Sequence, residues 1–366
     1  MPMSILIVLH DFSLGGTERI GVRLASAWAK LGHSVVIFCG NEEGPLKFLA
    51  GPNVRIVCAR PVIKRGFGSR AALARAAARF LKHNPTDACF IPGNYHWTIV
   101  PALAGVARRQ GGIVVAQISA DLRKPQRGPL RQSLFDLRMR LLLKRSDGLV
   151  AMSEEAAADA QQVLPNRIAV IPLPALEDDP PPISEAPAGP PVVLGAGRLV
   201  PEKGFSTLID AFALIPIEGA SLVIAGSGPE EARLKELARQ KGIGEKVTFL
   251  GYVEDIRPAL DASHLFVLPS RFEGFGAVVI EALGAGRPVV MTNCSPAAAL
   301  LSASSSGLVV PVDDVQALAK AMTTMLVSKD HHPNRAAALV SRHRIGAVAP
   351  QYVDFFKSLR GEGAAS

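Results

Sequence analysis

The sequence predicts an α/β protein of two domains, each built on a doubly wound parallel sheet. Short segments that are apolar throughout alternate with helical segments along most of the 366 residues, as expected for parallel strands that helices cover on both faces. A chain of this length suits two domains of roughly 100–200 residues each. A proline-rich stretch, residues 173–191, interrupts the alternation once.

The proline-rich stretch reads LPALEDDPPPISEAPAGPP. Because proline fixes φ and lacks an N–H donor, this stretch is neither a helix nor a central strand, and we interpret it as the linker between the domains. The first domain then spans residues 1–172 and the second residues 192–349. Ligands of open parallel sheets bind at the carboxyl ends of the strands, so both domains are expected to direct loops into a cleft between them.

Apolar runs bounded by glycine and proline mark the predicted strands, and apolar residues at helical spacing mark the helices. The predicted strands of the first domain are Ile5–Leu9, Ser34–Cys39, Val54–Cys58, Ala88–Ile91, Ile113–Gln117, Gly148–Met152 and Ile168–Ile171. Those of the second domain are Val192–Ala196, Ser221–Ala225, Val247–Leu250, Leu265–Leu268, Pro288–Met291 and Gly307–Val310. The predicted helices include Thr17–Leu31, Gly204–Leu214, Glu230–Lys241, Asp255–Ala262, Ala277–Gly284 and Val315–Leu326.

The composition argues against several classes of protein. No run of about 18 apolar residues would form a membrane-spanning helix. The segment from Met1 to His10 lacks the basic part of a signal peptide and is interpreted as a first strand. The four cysteines lack the spacing of metal ligands, which indicates buried thiols in a reducing cytoplasm.

The segment Pro269–Glu281, PSRFEGFGAVVIE, follows an apolar strand and carries the clearest signal. The turn Gly274–Gly276 lets a ligand approach the backbone, and the N-terminus of the helix that follows suits a pyrophosphate. Glu273 is placed to accept hydrogen bonds from sugar hydroxyls, and Glu281 from two hydroxyls of a ribose.

A second segment, Gly195–Gly204, reads GAGRLVPEKG and also follows a strand. Arg198 and Lys203 place two cations on one strand-to-helix loop, where they can hold both phosphates of a departing nucleoside diphosphate. The segment is not a dinucleotide fingerprint, because the third glycine and the acidic residue about 20 positions further on are not in place.

Three further loops are weaker candidates. Gly226–Pro229 follows a strand and is either a plain connection or a donor contact, while Tyr252 and Val253 are assigned to the nucleobase from position alone. Gly15 and Gly16 open the first helix and are expected to contact the donor phosphate or the acceptor. The predicted donor-binding residues are Gly15, Gly16, Gly197, Arg198, Lys203, Gly226, Gly228, Tyr252, Val253, Glu273, Gly274, Phe275, Gly276 and Glu281.

Together these segments resemble the large family of retaining glycosyltransferases called GT4. The motifs GGTER, GRLVPEKG, AGSGP and EGFGAVVIE occur in the family's order, with its paired glutamates at Glu273 and Glu281. The similarity runs from about residue 5 to residue 326 and is specific over residues 192–312.

The resemblance implies a GT-B fold, with a nucleotide diphosphate-sugar held mainly by the second domain and an acceptor bound by the first. It also implies a C-terminal helix, at about residues 350–366, that returns to the first domain. By the same resemblance Arg198 and Lys203 bind the diphosphate, Glu273 contacts the donor sugar and Glu281 contacts the ribose.

The chain departs from the family in two loops. Many members carry a histidine in the loop that here reads QISAD, residues 117–121. We therefore consider that His96 reaches the sugar instead, with a packed core histidine as the alternative. Many members also have a glutamate where residues 295–299 read SPAAA, which leaves one donor contact unassigned.

No D-x-D triplet follows an apolar strand, so no metal or other cofactor is expected. The resemblance suggests a front-side reaction, in which the departing phosphate oxygen takes the acceptor's proton on the same face of the sugar. This route retains the anomeric configuration and needs no strong protein base. The predicted catalytic residues are Glu273, Arg198, Lys203 and His96.

Charge is unevenly distributed along the chain. Residues 1–172 carry a net charge of +12 and the remainder −4. Because anionic leaflets attract basic amphipathic helices, we expect the first domain to contact a membrane or a lipid-linked acceptor; a solvated helix face is the alternative. Nucleic acid is not expected, since stacking aromatic residues are lacking. The predicted acceptor and membrane residues are Arg65, Arg70, Arg75, Arg79, Arg123, Lys124 and Arg127.

The sequence therefore predicts a retaining, metal-independent hexosyl- or N-acetylhexosaminyltransferase. The favoured donor is a UDP-sugar, with GDP-mannose as the second choice. The acceptor is a lipid-linked or membrane glycan, used in cell-surface polysaccharide or glycolipid synthesis at the inner face of the cytoplasmic membrane. Two alternatives stay open: a nucleotide-sugar epimerase of similar fold, and a non-catalytic subunit that binds nucleotide-sugars.

Overall fold

A computed structural model describes residues 1–119, 122–123, 128–185, 187–304, 306–328 and 340–361. The chain divides into two compact units. Unit 1 comprises Met1–Pro174 and the chain from Arg344 onward, and unit 2 comprises Ala175–His343.

Within its described residues, unit 1 contains one sheet of seven parallel strands. Along the chain these are β1 (Ser4–Leu9), β2 (Ser34–Cys39), β3 (Val54–Cys58), β4 (Ala88–Ile91), β5 (Ile113–Ile118), β6 (Gly148–Ala151) and β7 (Ile168–Val170). Their order in the sheet is β3-β2-β1-β4-β5-β6-β7. The chain thus winds outward from β1 to one edge and then returns to β4, so the switch point lies between β1 and β4.

Helices cover both faces of this sheet. They include α1 (Gly16–Lys30), α2 (Ser69–His83), α3 (Val100–Arg109), α4 (Pro129–Leu143) and α5 (Glu154–Gln161). Buried leucines of α2, α3 and α4 share one core cluster with Cys89 and Ile91 of β4. Phe90, between those two residues, points to the opposite face and meets Trp28 of α1, with ring centroids 5.5 Å apart. Helices α2, α3 and α4 therefore form one layer, and α1 lies in the other.

Unit 2 repeats this plan with a sheet of six parallel strands among its described residues. The strands are β8 (Val192–Ala196), β9 (Ser221–Ala225), β10 (Val247–Gly251), β11 (Leu265–Leu268), β12 (Val289–Thr292) and β13 (Gly307–Val310), in the order β10-β9-β8-β11-β12-β13. The helices include α6 (Phe205–Phe212), α7 (Glu231–Gln240), α8 (Arg257–Asp261), α9 (Ala277–Gly284), α10 (Ala297–Ser304) and α11 (Val315–Val327). The switch point lies between β8 and β11.

The last helix, α12 (Ile345–Arg360), belongs to unit 1 and packs against α1. The indole Nε1–H of Trp28 donates to the carbonyl of Ala349 at 2.9 Å, and the rings of Tyr352 and Phe356 lie within 6 Å of the Trp28 ring. The helix begins earlier than the predicted residue 350 because it accommodates Pro350 in its interior. The end of the predicted range, residues 362–366, lies outside the described residues.

The proline-rich stretch is also placed differently from the prediction. From Ala175 onward it belongs to unit 2. The buried guanidinium of Arg287 donates to the carbonyl of Glu185 at 3.2 Å, and Arg257 donates to the carbonyl of Pro181 at 3.0 Å. A segment poor in N–H donors still offers carbonyl acceptors, which arginines of unit 2 use to hold it.

The predicted fold class, two parallel-sheet α/β domains, is confirmed, and the predicted strands match the observed ones to within about one residue at each end. The predicted helix ranges did not include α2, α3, α4, α5 or α10. None of the helices in the described part of the chain has the length and hydropathy needed to span a bilayer.

Candidate active site

Two neighbouring loops of unit 2 leave the sheet at its switch point. The loop after β8 contains a short 3₁₀ helix, Pro201–Lys203, and ends at Gly204. Gly204 has φ +66°, and a Cβ atom there would lie 2.0 Å from the carbonyl oxygen of Pro269, in the loop after β11. Only glycine allows these two loops to touch.

This contact brings two of the predicted site residues together. The ammonium of Lys203 donates to Oε1 of Glu273, and the hydroxyl of Ser270 lies 3.3 Å from the same oxygen. The two charged side chains are only 19% and 13% exposed. A largely desolvated ion pair is strongly oriented, so the cation predicted to bind phosphate is held by the acid predicted to bind the sugar.

A third residue, Arg271, holds the short helix in place and was not predicted. Its backbone N–H donates to the carbonyl of Glu202 at 2.8 Å, and its guanidinium donates to the carbonyl of Pro201 at 3.0 Å. The same guanidinium contacts both carboxylate oxygens of Asp313, at 2.8 and 2.9 Å. Asp313 has φ +59°, a conformation that a non-glycine residue adopts at a cost.

Nothing in the sequence pairs Arg271 with Asp313, because they are 42 positions apart. The position of Arg271, two residues before Glu273, was the feature of the sequence that could have indicated its role. The hydroxyl of Thr207 also contacts Asp313, at 3.2 Å. The strained Asp313 backbone is therefore fixed by two side chains, and it anchors the loop that carries Lys203.

Backbone contacts join the loops that follow β8, β9 and β10. The amide of Leu199 donates to the carbonyl of Ser227 at 2.9 Å. A Cβ atom at Gly226 would lie 1.8 Å from the carbonyl oxygen of Gly197, and one at Gly228 would lie 2.4 Å from that of Leu199. These glycines are therefore required for packing between loops, whether or not they also touch a ligand.

Arg198 lies in the loop after β8, which these contacts hold in place, and its side chain is exposed. Tyr252 is 43% exposed, and Val253 is half-buried beside it, after β10. All of these residues follow strands of the same parallel sheet. The structure therefore gathers the predicted donor residues of unit 2 at one edge of that sheet.

Helix α9 begins directly after Gly276, which has φ +89°. No side chain caps this helix end, so its first N–H groups keep the positive end of the helix dipole. Phe275 is buried and its ring lies 5.6 Å from that of His343, so its side chain is not open to a ligand. Glu281 is half-buried on the second turn of α9.

In unit 1, the structure favours the alternative given for His96, a packed core histidine, over a contact with the sugar. His96 is fully buried, its Nε2 accepts the backbone N–H of His10 at 3.0 Å, and its Nδ1 lies 3.0 Å from the carbonyl of Pro92. Burial lowers the pKa of His96 to about 4. The imidazole is therefore neutral, uses both nitrogens, and ties the loop after β4 to the loop after β1.

A polar cluster that the sequence did not predict lies beside this histidine. Nε of Arg65 donates to Asp11 at 2.5 Å and Nη2 donates to Glu18 at 2.8 Å, while the guanidinium lies 4.6 Å from the centroid of the Tyr95 ring. Arg65 was predicted to contact an acceptor or a membrane, and in the structure its guanidinium pairs with two carboxylates. A histidine and aspartate directly after the first strand were the available signal.

The electrostatics of this cluster favour the ionised forms. Burial alone would raise the pKa of Asp11, but hydrogen bonds from Arg65 and Ser13 outweigh it and lower that pKa to about 2. The same bond to Asp11 raises the pKa of Arg65. Within the described residues, neither ring nitrogen of the fully buried His10 has a hydrogen-bond partner.

The doubled glycine at the start of α1 plays two different parts. A Cβ atom at Gly15 would lie 2.1 Å from Oε2 of Glu18, whereas one at Gly16 would meet nothing within 4 Å. No side chain caps α1. Gly15 therefore makes room for the Glu18 carboxylate, and Gly16 leaves the first turn of the helix accessible.

The remaining predicted cations are dispersed. Arg70 lies 5.2 Å from the centroid of the Tyr95 ring, whereas Arg75 and Arg79 are exposed on α2. The guanidinium of Arg123 donates to the side chain of Gln162. Lys124 and Arg127 lie outside the described residues.

Solved structures establish the architecture as that of GT-B glycosyltransferases. Sucrose-phosphate synthase from Thermosynechococcus elongatus superposes with a TM-score of 0.77 at 21% identity, over 98% of this chain and 99% of that one. Anabaena HepE, solved in complex with UDP-glucose, superposes with a TM-score of 0.78 at 20% identity, over 97% of this chain and 100% of that one.

Two family models cover most of the sequence. The model for the glycosyl transferase 4-like domain matches residues 15–174, and the model for glycosyl transferases group 1 matches residues 178–340. The chain therefore belongs to the GT4-type glycosyltransferases, as its motifs predicted.

Curated relatives are more similar but match a shorter part. The lipopolysaccharide core biosynthesis glycosyltransferase LpsE of Rhizobium meliloti (strain 1021) is 38% identical over 178 residues, which are 48% of this chain and 52% of LpsE. The GDP-mannose-dependent alpha-(1-6)-phosphatidylinositol monomannoside mannosyltransferase of Mycobacterium tuberculosis (strain ATCC 25618 / H37Rv) is 36% identical over 190 residues, 48% of this chain and 49% of its own length. The chain spans about half the length of these relatives.

Proposed function

We propose that this protein transfers a hexosyl or N-acetylhexosaminyl group from a nucleotide diphosphate-sugar, held by unit 2, to a lipid-linked or membrane glycan. The observation that carries the proposal is the Lys203–Glu273 ion pair, formed between the two loops at the β8/β11 switch point. A cation and an acid at that point are suited to a ligand that carries both phosphate and hydroxyl groups.

Each part of the donor has a matching group in unit 2. The diphosphate accepts hydrogen bonds from the uncapped N–H groups of α9 and from Arg198 and Lys203. Glu273 accepts hydrogen bonds from hydroxyls of the sugar, and Glu281 from the ribose. As the glycosidic bond breaks, negative charge grows on the diphosphate, and these fixed positive groups stabilise it more than they stabilise the ground state.

The proposed reaction proceeds on one face of the sugar. The departing phosphate oxygen takes the proton of the acceptor hydroxyl while the new bond forms on the side that the diphosphate leaves, and this retains the anomeric configuration. With cations and a helix N-terminus at the diphosphate, the proposal includes no metal ion.

A UDP-sugar is the proposed donor and GDP-mannose the second choice. HepE was solved with UDP-glucose, whereas the mycobacterial relative is named as GDP-mannose-dependent. A thermal-shift screen with both classes of nucleotide-sugar tests the choice, because a true donor stabilises the folded state by mass action. Stabilisation by neither class would refute the proposed donor site.

The acceptor is proposed to be membrane-bound, and the protein to sit peripherally on the inner face of the cytoplasmic membrane. Four leucines of α4 are more than half exposed and recur at helical spacing: Leu130, Leu134, Leu137 and Leu141. Basic residues alternate with them, and α2 and α3 add further arginines to the same layer. An apolar stripe flanked by bases is suited to the interface of an anionic bilayer. The name of LpsE refers to lipopolysaccharide core biosynthesis, and that of the mycobacterial relative to a phosphatidylinositol monomannoside.

Product analysis separates this proposal from its two alternatives. NMR of the reaction with donor alone would reveal a new sugar epimer if the protein were an epimerase. A non-catalytic subunit would bind the donor and form no product with any acceptor. With a lipid-linked acceptor, a glycoside of retained anomeric configuration is expected, and its formation should be insensitive to EDTA.

A further inference from the structure

A cavity of about 760 Å³ lies between the edge strand β3 and helix α2 of unit 1. Basic side chains line it from both elements and from the loop after β3: Arg55, Arg60, Arg75 and Arg79. The acid in the lining, Glu42, is paired with Lys47 at 3.0 Å. The cavity therefore carries a strong net positive charge.

The four guanidiniums have no ion pair with any residue that the structure describes. Like charges around one cavity repel each other, and a cavity lined by one sign of charge concentrates counter-ions. Arginine binds phosphate oxygens in a bidentate manner. A phosphate ester is therefore the anion that this arrangement is suited to bind.

The other wall of the cavity is apolar. The half-buried ring of Phe80 lies 5.0 Å from the buried ring of Phe38, and the half-buried Ile63, Ala72 and Ala76 continue the surface. A free phosphate would leave this wall unused, whereas the first carbons of an attached chain would cover it. The cavity lies in the same layer as α3 and α4, in which α2 packs against α3 and α3 packs against α4.

We infer that this cavity binds the phosphate of an anionic phospholipid in the bilayer, with the lipid's apolar part against Phe80, Ala76 and Ile63. The inference adds a specific lipid site to the membrane contact in the proposed function. It rests on that contact but does not depend on glycosyl transfer.

Vesicle binding without nucleotide-sugar tests the inference. Co-sedimentation is measured with phosphatidylglycerol vesicles and with phosphatidylcholine vesicles. Arg75→Gln/Arg79→Gln should weaken binding to the anionic vesicles at least tenfold. The matched control, Lys30→Gln/Lys357→Gln, removes the same charge from α1 and α12 in the opposite layer and should weaken binding less than twofold. If both variants lost vesicle binding equally, net charge alone would explain the loss, and the inference would be overturned.

A second pair of variants leaves the charge unchanged. Ala76→Trp fills the cavity, while Ala71→Trp adds the same bulk at an exposed position on the same helix. Only Ala76→Trp should weaken vesicle binding, with both variants retaining the wild-type circular dichroism spectrum. Normal vesicle binding by Ala76→Trp would overturn the inference, as would tight binding of glycerol phosphate that does not compete with vesicles.

A third variant separates the lipid site from the general membrane contact. Leu134→Ser/Leu137→Ser removes half of the exposed leucine stripe of α4. If this variant loses vesicle binding while the cavity variants bind normally, the membrane contact stands and the lipid site fails. If neither wild type nor variants bind vesicles, both fail, although transfer to a soluble acceptor could still succeed.

Discussion

Lys203 and Glu273 form a largely buried ion pair although they are 70 positions apart in the chain. The pair forms because the two strands that precede these residues, β8 and β11, are neighbours in the sheet. Unit 1 has an equivalent contact, in which the loops after β1 and β4 are joined by the hydrogen bond from His10 to His96. In both units the chain changes winding direction at this point, so the two loops are not separated by an intervening strand.

Removing the charge of Glu273 should abolish most of the transfer activity. Glu273→Gln and Lys203→Met are each expected to lower kcat by about 10²–10³, the usual loss when one fixed charge-stabilising group is removed. Because the two side chains act as a pair, the double variant should lose little more than either single variant. Steady-state assays with a nucleotide-sugar donor measure this, and Glu202→Gln, an exposed acid in the same loop, is the control. Wild-type turnover by Glu273→Gln would refute the assignment of the site.

Arg271 should act on activity through the loop that carries Lys203. Arg271→Lys keeps a positive charge but cannot contact both oxygens of Asp313 while also donating to Pro201. We expect kcat to fall about tenfold, with a small change in donor KM and a Tm lowered by a few degrees. Arg233→Lys, at an exposed position on α7, is the control and should change neither kcat nor Tm. A normal kcat for Arg271→Lys would contradict the positioning role.

The glycines should separate into packing positions and open positions. Gly226→Ala places a Cβ atom 1.8 Å from the carbonyl oxygen of Gly197 and should lower the free energy of unfolding by about 1–3 kcal/mol. In Gly16→Ala the new Cβ atom has no other atom within 4 Å, and the substitution should raise the free energy of unfolding by about 0.5–1 kcal/mol. Urea denaturation measures both. If the first turn of α1 contacts a substrate, Gly16→Ala should lower activity in spite of its higher stability.

Stability should fall as the pH falls below neutrality, with His96 as the main contributor. Its pKa is about 4 in the folded protein because it is buried, against about 6.5 in the unfolded chain. Above pH 6.5 both states are neutral at this residue and the contribution is constant. Between pH 6.5 and 4 only the unfolded state takes up a proton, which destabilises the fold by roughly 3 kcal/mol. Burial also lowers the pKa of His10, His33 and His264, in the same direction.

The variant His96→Gln isolates this contribution. Glutamine keeps an acceptor and a donor but does not titrate, so the decline of the unfolding free energy between pH 7 and 4 should become shallower. His83→Gln changes an exposed histidine on α2 and should leave the slope unaltered. Identical slopes for wild type and His96→Gln would show that His96 is not buried in its neutral form.

Much of the fold follows from local patterns. Most strands were predicted because they are apolar throughout, and that pattern reflects burial on both faces, as in β1, β4, β5 and β11. The edge strand β10 is less buried, with Thr248 and Leu250 exposed. The ends of α12 and of the proline-rich stretch were less predictable. Pro350 suggests a helix boundary, but long-range contacts of Trp28 with α12 outweigh the local preference.

The sequence by itself determined the family, the two parallel α/β domains and the loops that carry Arg198, Lys203, Glu273 and Glu281, because these depend on residues that are close together in the chain. The tertiary structure decided which side chains act on each other. It pairs Lys203 with Glu273, and it holds the loop of Lys203 in place through Arg271 and Asp313. It buries His96 between two loops and pairs Arg65 with two carboxylates. Such contacts depend on strand order and burial, which bring together residues whose separation along the chain carries no signal of their proximity.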